Sequence, residues 1–117
     1  MECWASLSLS NGRPVVAIGG ALDLATAEPI RNMLTAVLND LPEDDPHLIL
    51  DLHRLDFMDT SGIGLLIHVK HATRAAGGDV YLVGLAPRVH RVLAKTNLLA
   101  LFTVYDELPQ ATTAKSG

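Results

Sequence analysis

The feature that most constrains the fold is the order in which two hydrophobic periodicities follow each other along the chain. Residues 3–10 and 13–20 predict two strands, because Asn11-Gly12 between them is a dipeptide typical of tight hairpin turns. After the hairpin, segments with helical spacing alternate with short apolar runs. The predicted order is β-β-α-β-α-β-α-β-α. Strands that alternate with helices favour a sheet with parallel neighbours and right-handed crossovers.

The segments after the hairpin have recognisable ends. A first helix is predicted over 26–41, with Thr26 as its N-cap and Pro29 in its first turn. Residues 42–46 form an acidic loop that we expect to be solvated. The next predicted elements are a buried strand over 47–52, a connection over 53–59, and a helix over about 60–75 that ends at Gly77-Gly78. They are followed by a strand over 80–83, a third helix with Pro87 in its first turn, a strand over 101–105, a helical turn within 106–113 and a frayed end over 115–117.

Composition excludes several classes of protein. The 117 residues suit a single domain, with a core over about 3–113, and 49% of them are hydrophobic. The net charge of −4 argues against direct nucleic-acid binding. The chain contains no apolar stretch long enough to cross a membrane and no secretion signal at residues 1–4. A single cysteine, Cys3, fits a reducing cytoplasm, which is the predicted location.

The segment over residues 57–64, FMDTSGIG, lies between a predicted buried strand and a helix. Asp59, Thr60 and Ser61 can all accept hydrogen bonds from the first N–H groups of that helix. Alternatively, one hydroxyl is exposed at the corner, where a second protein can reach it. The two interpretations are compatible, because a helix N-terminus also favours an added phosphate.

Other chemistries are disfavoured by the residues around this segment. Ser61 does not form a hydrolase nucleophile elbow, because Asp59 and Ile63 occupy the positions where that motif needs glycine. The sequence has no phosphate-binding glycine loop. His68 and His71 share a helix face, but no third ligand accompanies them, so we predict surface histidines rather than a metal site. Neither a metal nor a cofactor is predicted.

The second predicted helix carries more apolar residues than one narrow stripe can hold. They are Ile63, Leu65, Leu66, Ile67 and Val69. Such a helix is either buried on two sides or faces a partner at its start. We therefore expect Ile63 and Leu66 to contact a partner protein.

Two motifs together resemble the STAS domain family and, within it, the bacterial anti-sigma factor antagonists. Residues 20–27, GALDLATA, resemble the family pattern Gly-Glu-Leu-Asp-x-x-Thr-Ala, with Ala21 in place of the glutamate. Residues 55–64, LDFMDTSGIG, resemble Phe-Met-Asp-Ser-Ser/Thr-Gly-Leu-Gly. Asp23 and Gly62 match the two patterns. The order of elements fits the family over about residues 3–113.

The resemblance implies a fold and a mechanism. The fold is an α/β domain with a mixed five-stranded sheet and helices packed mainly on one face. The protein is expected to be a non-enzymatic switch that binds an anti-sigma factor, itself an ATP-dependent Ser/Thr kinase, and so frees a sigma factor. Phosphorylation of the hydroxyl residue after the motif's aspartate ends the binding, and a PP2C-type phosphatase restores it.

The resemblance also assigns residues to the switch. The phosphoacceptor position is Thr60, with Ser61 as the second choice. The expected partner-binding set is Asp23, Asp59, Thr60, Ser61, Gly62, Ile63 and Leu66. The rival hypothesis is a STAS scaffold or transport-complex module that binds its partner without being phosphorylated.

Overall fold

A ten-residue strand that pairs with three other strands organises the domain. The computed structural model describes residues 2–115, so residues 116 and 117 of the predicted frayed end lie outside the described residues. The elements are β1 (Cys3–Ser10), β2 (Arg13–Leu22), α1 (Ala27–Asn39), β3 (Leu48–Asp51), β4 (Leu55–Met58), α2 (Thr60–Ala75), β5 (Val80–Val83), α3 (Pro87–Lys95), β6 (Thr103–Tyr105) and α4 (Leu108–Thr112).

The sheet is mixed, as the sequence predicts. Its strand order is β1-β2-β3-β5-β6, and only the β1–β2 hairpin is antiparallel within that order. Strand β2 pairs with β3 through residues 15–17 and with β4 through residues 20–22. These five strands confirm the predicted mixed sheet, and β4 adds a sixth.

Strand β4 corrects the prediction of a plain connection over 53–59. Residues Leu55 and Met58 are buried, and the segment runs parallel to the end of β2. The pairing register shifts between Gly20 and Ala21, and the Gly20 N–H donates to the carbonyl of Arg54 at 2.9 Å. This segment has only four residues, two of them buried, and so short a pattern does not predict a strand. Its strand conformation depends instead on its pairing with β2.

The two faces of the sheet are covered unequally. On one face, β2, β3 and β5 pack against α1, α2 and α3 in a single apolar cluster; its largest fully buried side chains include Ile18, Leu34, Leu50, Leu66 and Leu82. On the other face, Val15, Ile49, Tyr81 and Val83 form a smaller cluster with Ala111 of α4. The helices therefore lie mainly on one face, as predicted, and α4 covers the other.

The acidic loop over 42–46 is less solvated than its charge predicts. Glu43 and Asp44 are exposed. Asp45, however, accepts hydrogen bonds from the guanidinium of Arg13 at 2.9 and 3.2 Å. That contact lowers the pKa of Asp45, although partial burial acts in the opposite direction. Arg13 also donates to the Ala111 carbonyl at 2.8 Å, so one arginine ties the loop to β2 and α4.

Two glycines follow the end of α2, and each meets a different structural requirement. Gly77 has a φ of +96°, and its N–H donates to the Arg74 carbonyl at 3.0 Å. Gly78 donates to the Thr73 carbonyl at 2.9 Å, which completes the predicted C-cap. A Cβ atom at Gly77 would meet nothing within 4 Å, whereas one at Gly78 would lie 1.9 Å from the Pro46 carbonyl oxygen.

Substitution of these two glycines by alanine separates backbone strain from steric exclusion. Gly77→Ala should lower the free energy of unfolding by about 1 kcal/mol, because only its left-handed conformation is disfavoured. Gly78→Ala should cost about 3 kcal/mol, because the Pro46 backbone must move. Urea unfolding of both variants measures the difference. A larger loss at Gly77 than at Gly78 would contradict this account.

A histidine joins two loops at the carboxyl ends of β3 and β6. His53 Nδ1 lies 2.6 Å from Asp51 Oδ1, and His53 Nε2 lies 3.1 Å from the Asp106 carbonyl oxygen. The ring also fills the space beside Gly84, where a Cβ would lie 2.3 Å from it. The hydrogen bond to Asp51 raises the pKa of His53 above its ordinary value of 6.5, although partial burial opposes the shift.

This pKa shift gives the His53 contacts a defined pH dependence. A raised folded-state pKa means that the protonated ring stabilises the fold fully below the unfolded pKa and loses this effect as pH rises through the folded pKa. The difference in unfolding free energy between wild type and His53→Gln should therefore shrink as pH rises from about 6.5 through the folded-state pKa of His53. Histidine NMR titration provides the pKa directly, and Asp51→Asn should return it toward 6.5. A wild-type pKa at or below 6.5 would refute the assignment.

Candidate functional site

The start of α2 is fixed by a single carboxylate. Asp59 is the N-cap of α2, and its Oδ1 accepts a hydrogen bond from the Ser61 N–H at 2.8 Å. Its Oδ2 accepts from the Leu24 N–H at 3.3 Å, across the gap to the β2–α1 loop. The Asp59 N–H donates to the Leu22 carbonyl at 3.2 Å. Asp59 therefore holds the end of β2, the β2–α1 loop and the start of α2 together.

The β2–α1 loop is closed by its own polar side chains. Asp23 Oδ1 accepts from the N–H groups of Ala25 and Thr26 at 3.0 and 3.1 Å. The Thr26 hydroxyl donates to the Ala21 carbonyl at 2.8 Å and accepts from the Asp23 N–H at 3.0 Å. Thr26 occupies the predicted N-cap position of α1, but its hydroxyl stabilises this loop rather than capping the helix.

The structure brings most of the predicted site residues to one corner. Thr60 is exposed, and Asp23, Asp59 and Ser61 are half-buried beside it. Gly62 is buried, and a Cβ there would lie 2.3 Å from Met58 Cγ and 3.1 Å from Leu22 Cγ. Gly62 therefore lets α2 approach the strands closely, and its part in the site is to position Thr60 and Ser61.

The partner-facing interpretation of Ile63 and Leu66 does not fit their burial. Their exposed fractions are 8% and 1%, and both belong to the main core cluster. Helix α2 is packed against α1 on one side and against β4 and β5 on the other, so its extra apolar residues are used inside the domain. The alternative left open by the sequence, burial on two sides, is the one observed.

A groove between α1 and α2 includes the exposed Thr60 in its lining. It has a volume of about 470 Å³ and is lined by Leu24, Ala27, Glu28, Arg31, Asn32, Thr60, Ser61 and Gly64. Leu24 is 81% exposed, the largest value among the large hydrophobic side chains of residues 2–115. A Cβ at Gly64 would meet nothing within 4 Å, so the domain's own packing does not require glycine there.

Sequence reasoning missed Leu24 and Arg31 as lining residues. Leu24 lies within the motif over residues 20–27, and a leucine in the turn before a helix is the signal that could have identified it. Arg31 belongs to α1, and no local pattern shows that α1 faces Thr60. Ala21, which replaces the family's glutamate, is fully buried, so this position offers no charge to a partner.

Clusters of metal-ligating side chains and membrane-spanning helices are both absent from the described residues. His68 and His71 are both exposed on α2. Within residues 2–115, no group of three or more metal-ligating side chains occurs. No helix in the same range has both the length and the apolar character needed to span a bilayer.

The chain and its fold are similar to those of known proteins. The STAS domain family matches residues 8–111, and the chain belongs to this family. The anti-sigma F factor antagonist of Paenibacillus polymyxa is 28% identical over 103 residues, which cover 88% of this chain and 86% of that protein. An anti-sigma factor antagonist from Mycobacterium paratuberculosis is 26% identical, with a TM-score of 0.79 and coverage of 96% and 92% of the two chains.

A second similar structure is that of a phosphorylated protein. It is the Bacillus cell fate determinant SpoIIAA in its phosphorylated form, which is 24% identical, with a TM-score of 0.66 and coverage of 89% of this chain and 93% of that one. At this identity the likeness concerns the fold alone. The phosphorylated form of that protein therefore shares the fold described above.

The capping role of Asp59 can be tested against a neighbouring carboxylate. Asp59→Ala should lower the free energy of unfolding by about 1–2 kcal/mol, because an N-cap is lost. Asp59→Asn should lose much less, since an asparagine oxygen also caps helices well. Asp56→Ala, at an exposed position of β4, is the matched control and should change stability by less than about 0.5 kcal/mol. Equal losses for Asp59→Ala and Asp56→Ala would refute the role.

Proposed function

We propose that this protein is an anti-sigma factor antagonist that is switched by phosphorylation of Thr60. In its unmodified form it binds an anti-sigma factor that is an ATP-dependent Ser/Thr kinase, and a sigma factor is released. The kinase transfers a phosphate to Thr60 and the complex dissociates. A PP2C-type phosphatase then removes the phosphate. The protein itself acts as a substrate and binding partner, not as an enzyme, in the reducing cytoplasm where sigma factors work.

The observation that supports this proposal best is the position of the Thr60 hydroxyl. Thr60 is exposed at the first residue of a 16-residue helix and lines a groove between two helices. Asp59 already caps the helix, so Thr60 is not needed for that purpose. Leu24 and Gly64 add an apolar side chain and an open surface to the same groove, which suits contact with a second protein.

Phosphorylation of Thr60 would change the charge of this surface more than its shape. A phosphate adds about −1.5 to −2 charges at neutral pH. It would lie next to the carboxylate of Asp59, near the loop that contains Asp23. A partner that covers the groove would then have to bury several negative charges, which is costly without added cations. The positive end of the α2 dipole tolerates the phosphate within the domain itself.

The two adjacent hydroxyls differ in their surroundings. Thr60 is exposed, whereas Ser61 is half-buried and its N–H is bonded to Asp59. Neighbouring residues on a helix point about 100° apart, so a kinase that reaches one is poorly placed for the other. We therefore assign the switch to Thr60. The proposed contact surface combines it with Asp23, Leu24, Ser61 and Gly64, while Asp59 and Gly62 hold the surface in place.

Three variants test the assignment in a phosphorylation assay with the kinase of the same host. Thr60→Ala should not be phosphorylated and should stay bound to the kinase in the presence of ATP. Thr60→Glu, a partial mimic of the phosphate, should bind weakly. Ser61→Ala should still accept phosphate, and peptide mapping should place it on Thr60. Phosphate on Ser61 in the wild type, with Thr60→Ala modified normally, would show that the other hydroxyl is the switch.

A fold control separates an interface effect from unfolding. The Thr60→Glu protein should keep its circular dichroism spectrum and melt within about 8 °C of the wild type, which corresponds to one to two kcal/mol for a domain of this size. A lost helix would refute the interface mechanism. The absence of phosphate on both residues with every candidate kinase of the host would instead favour the unphosphorylated STAS scaffold or transport-complex module.

A further inference from the structure

The lysines and arginines of this acidic chain are concentrated in one part of it. Residues 60–105 contain one carboxylate, Asp79, and five of the nine basic residues, which are Lys70, Arg74, Arg88, Arg91 and Lys95. This stretch has a net charge of +4, and the other residues together carry −8. The five cations all lie on α2 and α3, and all except Lys70 are exposed. A local field of opposite sign to the rest of a domain attracts an acidic partner to that side.

A groove lies on this side, between α2 and the segment that leads into β6. It has a volume of about 230 Å³, and we call it the basic groove; it is lined by Ile67, Lys70, His71, Arg74, Leu101 and Phe102. The four lining residues of α2 are spaced by three, one and three positions, so they form a single stripe along the helix. This stripe extends for about 10 Å, or two helical turns.

Three apolar side chains form the deeper part and one side of the basic groove. Phe102 is 7% exposed and Ile67 is half-buried, so these two contribute its deeper part. Leu101, the last residue of a 3₁₀ turn (Leu99–Leu101), is 51% exposed and contributes one side. Apolar side chains next to a row of cations are suited to a segment that has both apolar residues and carboxylates.

The contacts of Asp79 leave the guanidinium of Arg74 available to a partner. Asp79 Oδ1 accepts from Lys70 Nζ and from the Val80 N–H, each at 2.8 Å, and the Asp79 side chain is only 10% exposed. Arg74 Nη1 lies 3.7 Å from Asp79 Oδ2, which is too far for a hydrogen bond. Because the Arg74 side chain is 61% exposed, its donors can reach a carboxylate from outside the domain.

We propose that the basic groove binds an acidic amphipathic helix of a partner protein. Apolar side chains of that helix pack against Ile67, Leu101 and Phe102, and its carboxylates pair with Arg74 and Lys70. The two-turn length of the groove matches a helix whose apolar residues are three and four positions apart. The planar guanidinium of Arg74 can hold one carboxylate through two hydrogen bonds, which fixes the orientation of the bound helix.

Other anionic partners fit this surface less well than a short acidic segment. Proteins that lie on a bilayer insert apolar side chains that protrude from their surface, whereas Ile67 and Phe102 lie within a groove. The charge of −8 on the other residues opposes the approach of an anionic bilayer and of the long row of phosphates in a nucleic acid. A short segment contacts only the basic groove and so avoids most of this repulsion.

The basic groove is separate from the Thr60 groove, which lies between α1 and α2. Arg74 follows Thr60 by 14 residues on the same helix, a distance of about 21 Å along its axis. The two grooves share no lining residue. The inference therefore does not depend on the proposed function and can be tested on the unphosphorylated protein.

An NMR titration of the full chain with synthetic peptides tests the proposal. The probe is a peptide of about 12 residues with leucines three and four positions apart and glutamates elsewhere. It should shift the amide signals of residues 67–74 and 101–102 with a Kd below about 1 mM. Two control peptides, one with lysine in place of glutamate and one with glutamine in place of leucine, should not bind. Binding of the acidic peptide should weaken as salt is added.

Two exposed arginines provide a matched pair of variants. Arg74→Glu should raise the Kd of the acidic peptide about tenfold or more, because it replaces an attraction by a repulsion. Arg54→Glu makes the same change of charge in the loop between β3 and β4, outside the basic groove, and should alter the Kd by less than about twofold. Leu101→Gln tests the apolar contact and should raise the Kd about threefold or more.

Four outcomes would overturn the proposal. The first is an acidic peptide that leaves the signals of residues 67–74 unshifted at about 1 mM, and the second is equal weakening by Arg74→Glu and Arg54→Glu. The third is binding to phosphatidylserine vesicles that Arg74→Glu abolishes, in the absence of peptide binding, which would assign the basic groove to a membrane. The fourth is a dimer in sedimentation equilibrium that Arg74→Glu dissociates, again without peptide binding, which would assign the groove to a second copy of the chain.

Discussion

The position of the site depends on strand β2, which pairs with two different parallel strands along its length. Its middle pairs with β3 and its end pairs with β4, with a change of register at Gly20. The last residue of β2, Leu22, accepts a hydrogen bond from Asp59, which follows β4 directly. The start of α2 is thereby fixed beside the β2–α1 loop. If β2 did not pair with β4, the start of α2 would not be held beside this loop, and Thr60 and Leu24 would not line the same groove.

Asp59 makes the proposed switch physically consistent. One carboxylate caps α2 and also holds the Leu24 amide, so neither task falls to Thr60. The first residue of the helix can then be modified without removing a cap. The same carboxylate places a negative charge next to the modification, which increases the cost of covering a phosphate with a partner. Capping by Asp59 and the proposed switch at Thr60 are therefore compatible at this corner.

Helix α2 shows why apolar content alone does not identify a partner surface. Helix α2 has more apolar residues than a single apolar stripe can hold. Ile63 and Leu66 are nevertheless buried, because α1 and the sheet enclose the helix from two sides. The surface that remains for a partner consists of the residues between the two helices, including Leu24 and Gly64. Leu7 and Leu9 of β1, by contrast, are exposed, because within residues 2–115 no strand pairs with the outer side of β1.

Local patterns in the sequence predicted most of the fold and the core of the site. Asn11-Gly12 identified the hairpin, the helical spacing over 26–41 identified α1, and the motif over 55–64 identified the helix start with Asp59 as a capping residue. These features succeed because turns, amphipathic stripes and caps depend on neighbours within a few residues of each other.

Only the tertiary structure decided the features that depend on distant segments. Residues 55–58 become a strand because the end of β2 offers them a partner, and Asp45 is held by Arg13 from 32 residues away. The burial of Ile63 and the approach of Arg31 to the Thr60 groove follow from the packing of α1 on α2. The sequence alone determined which residues can cap, bend or bear a phosphate. Which of them face solvent was decided by long-range packing, because exposure is a property of the neighbours that the fold supplies.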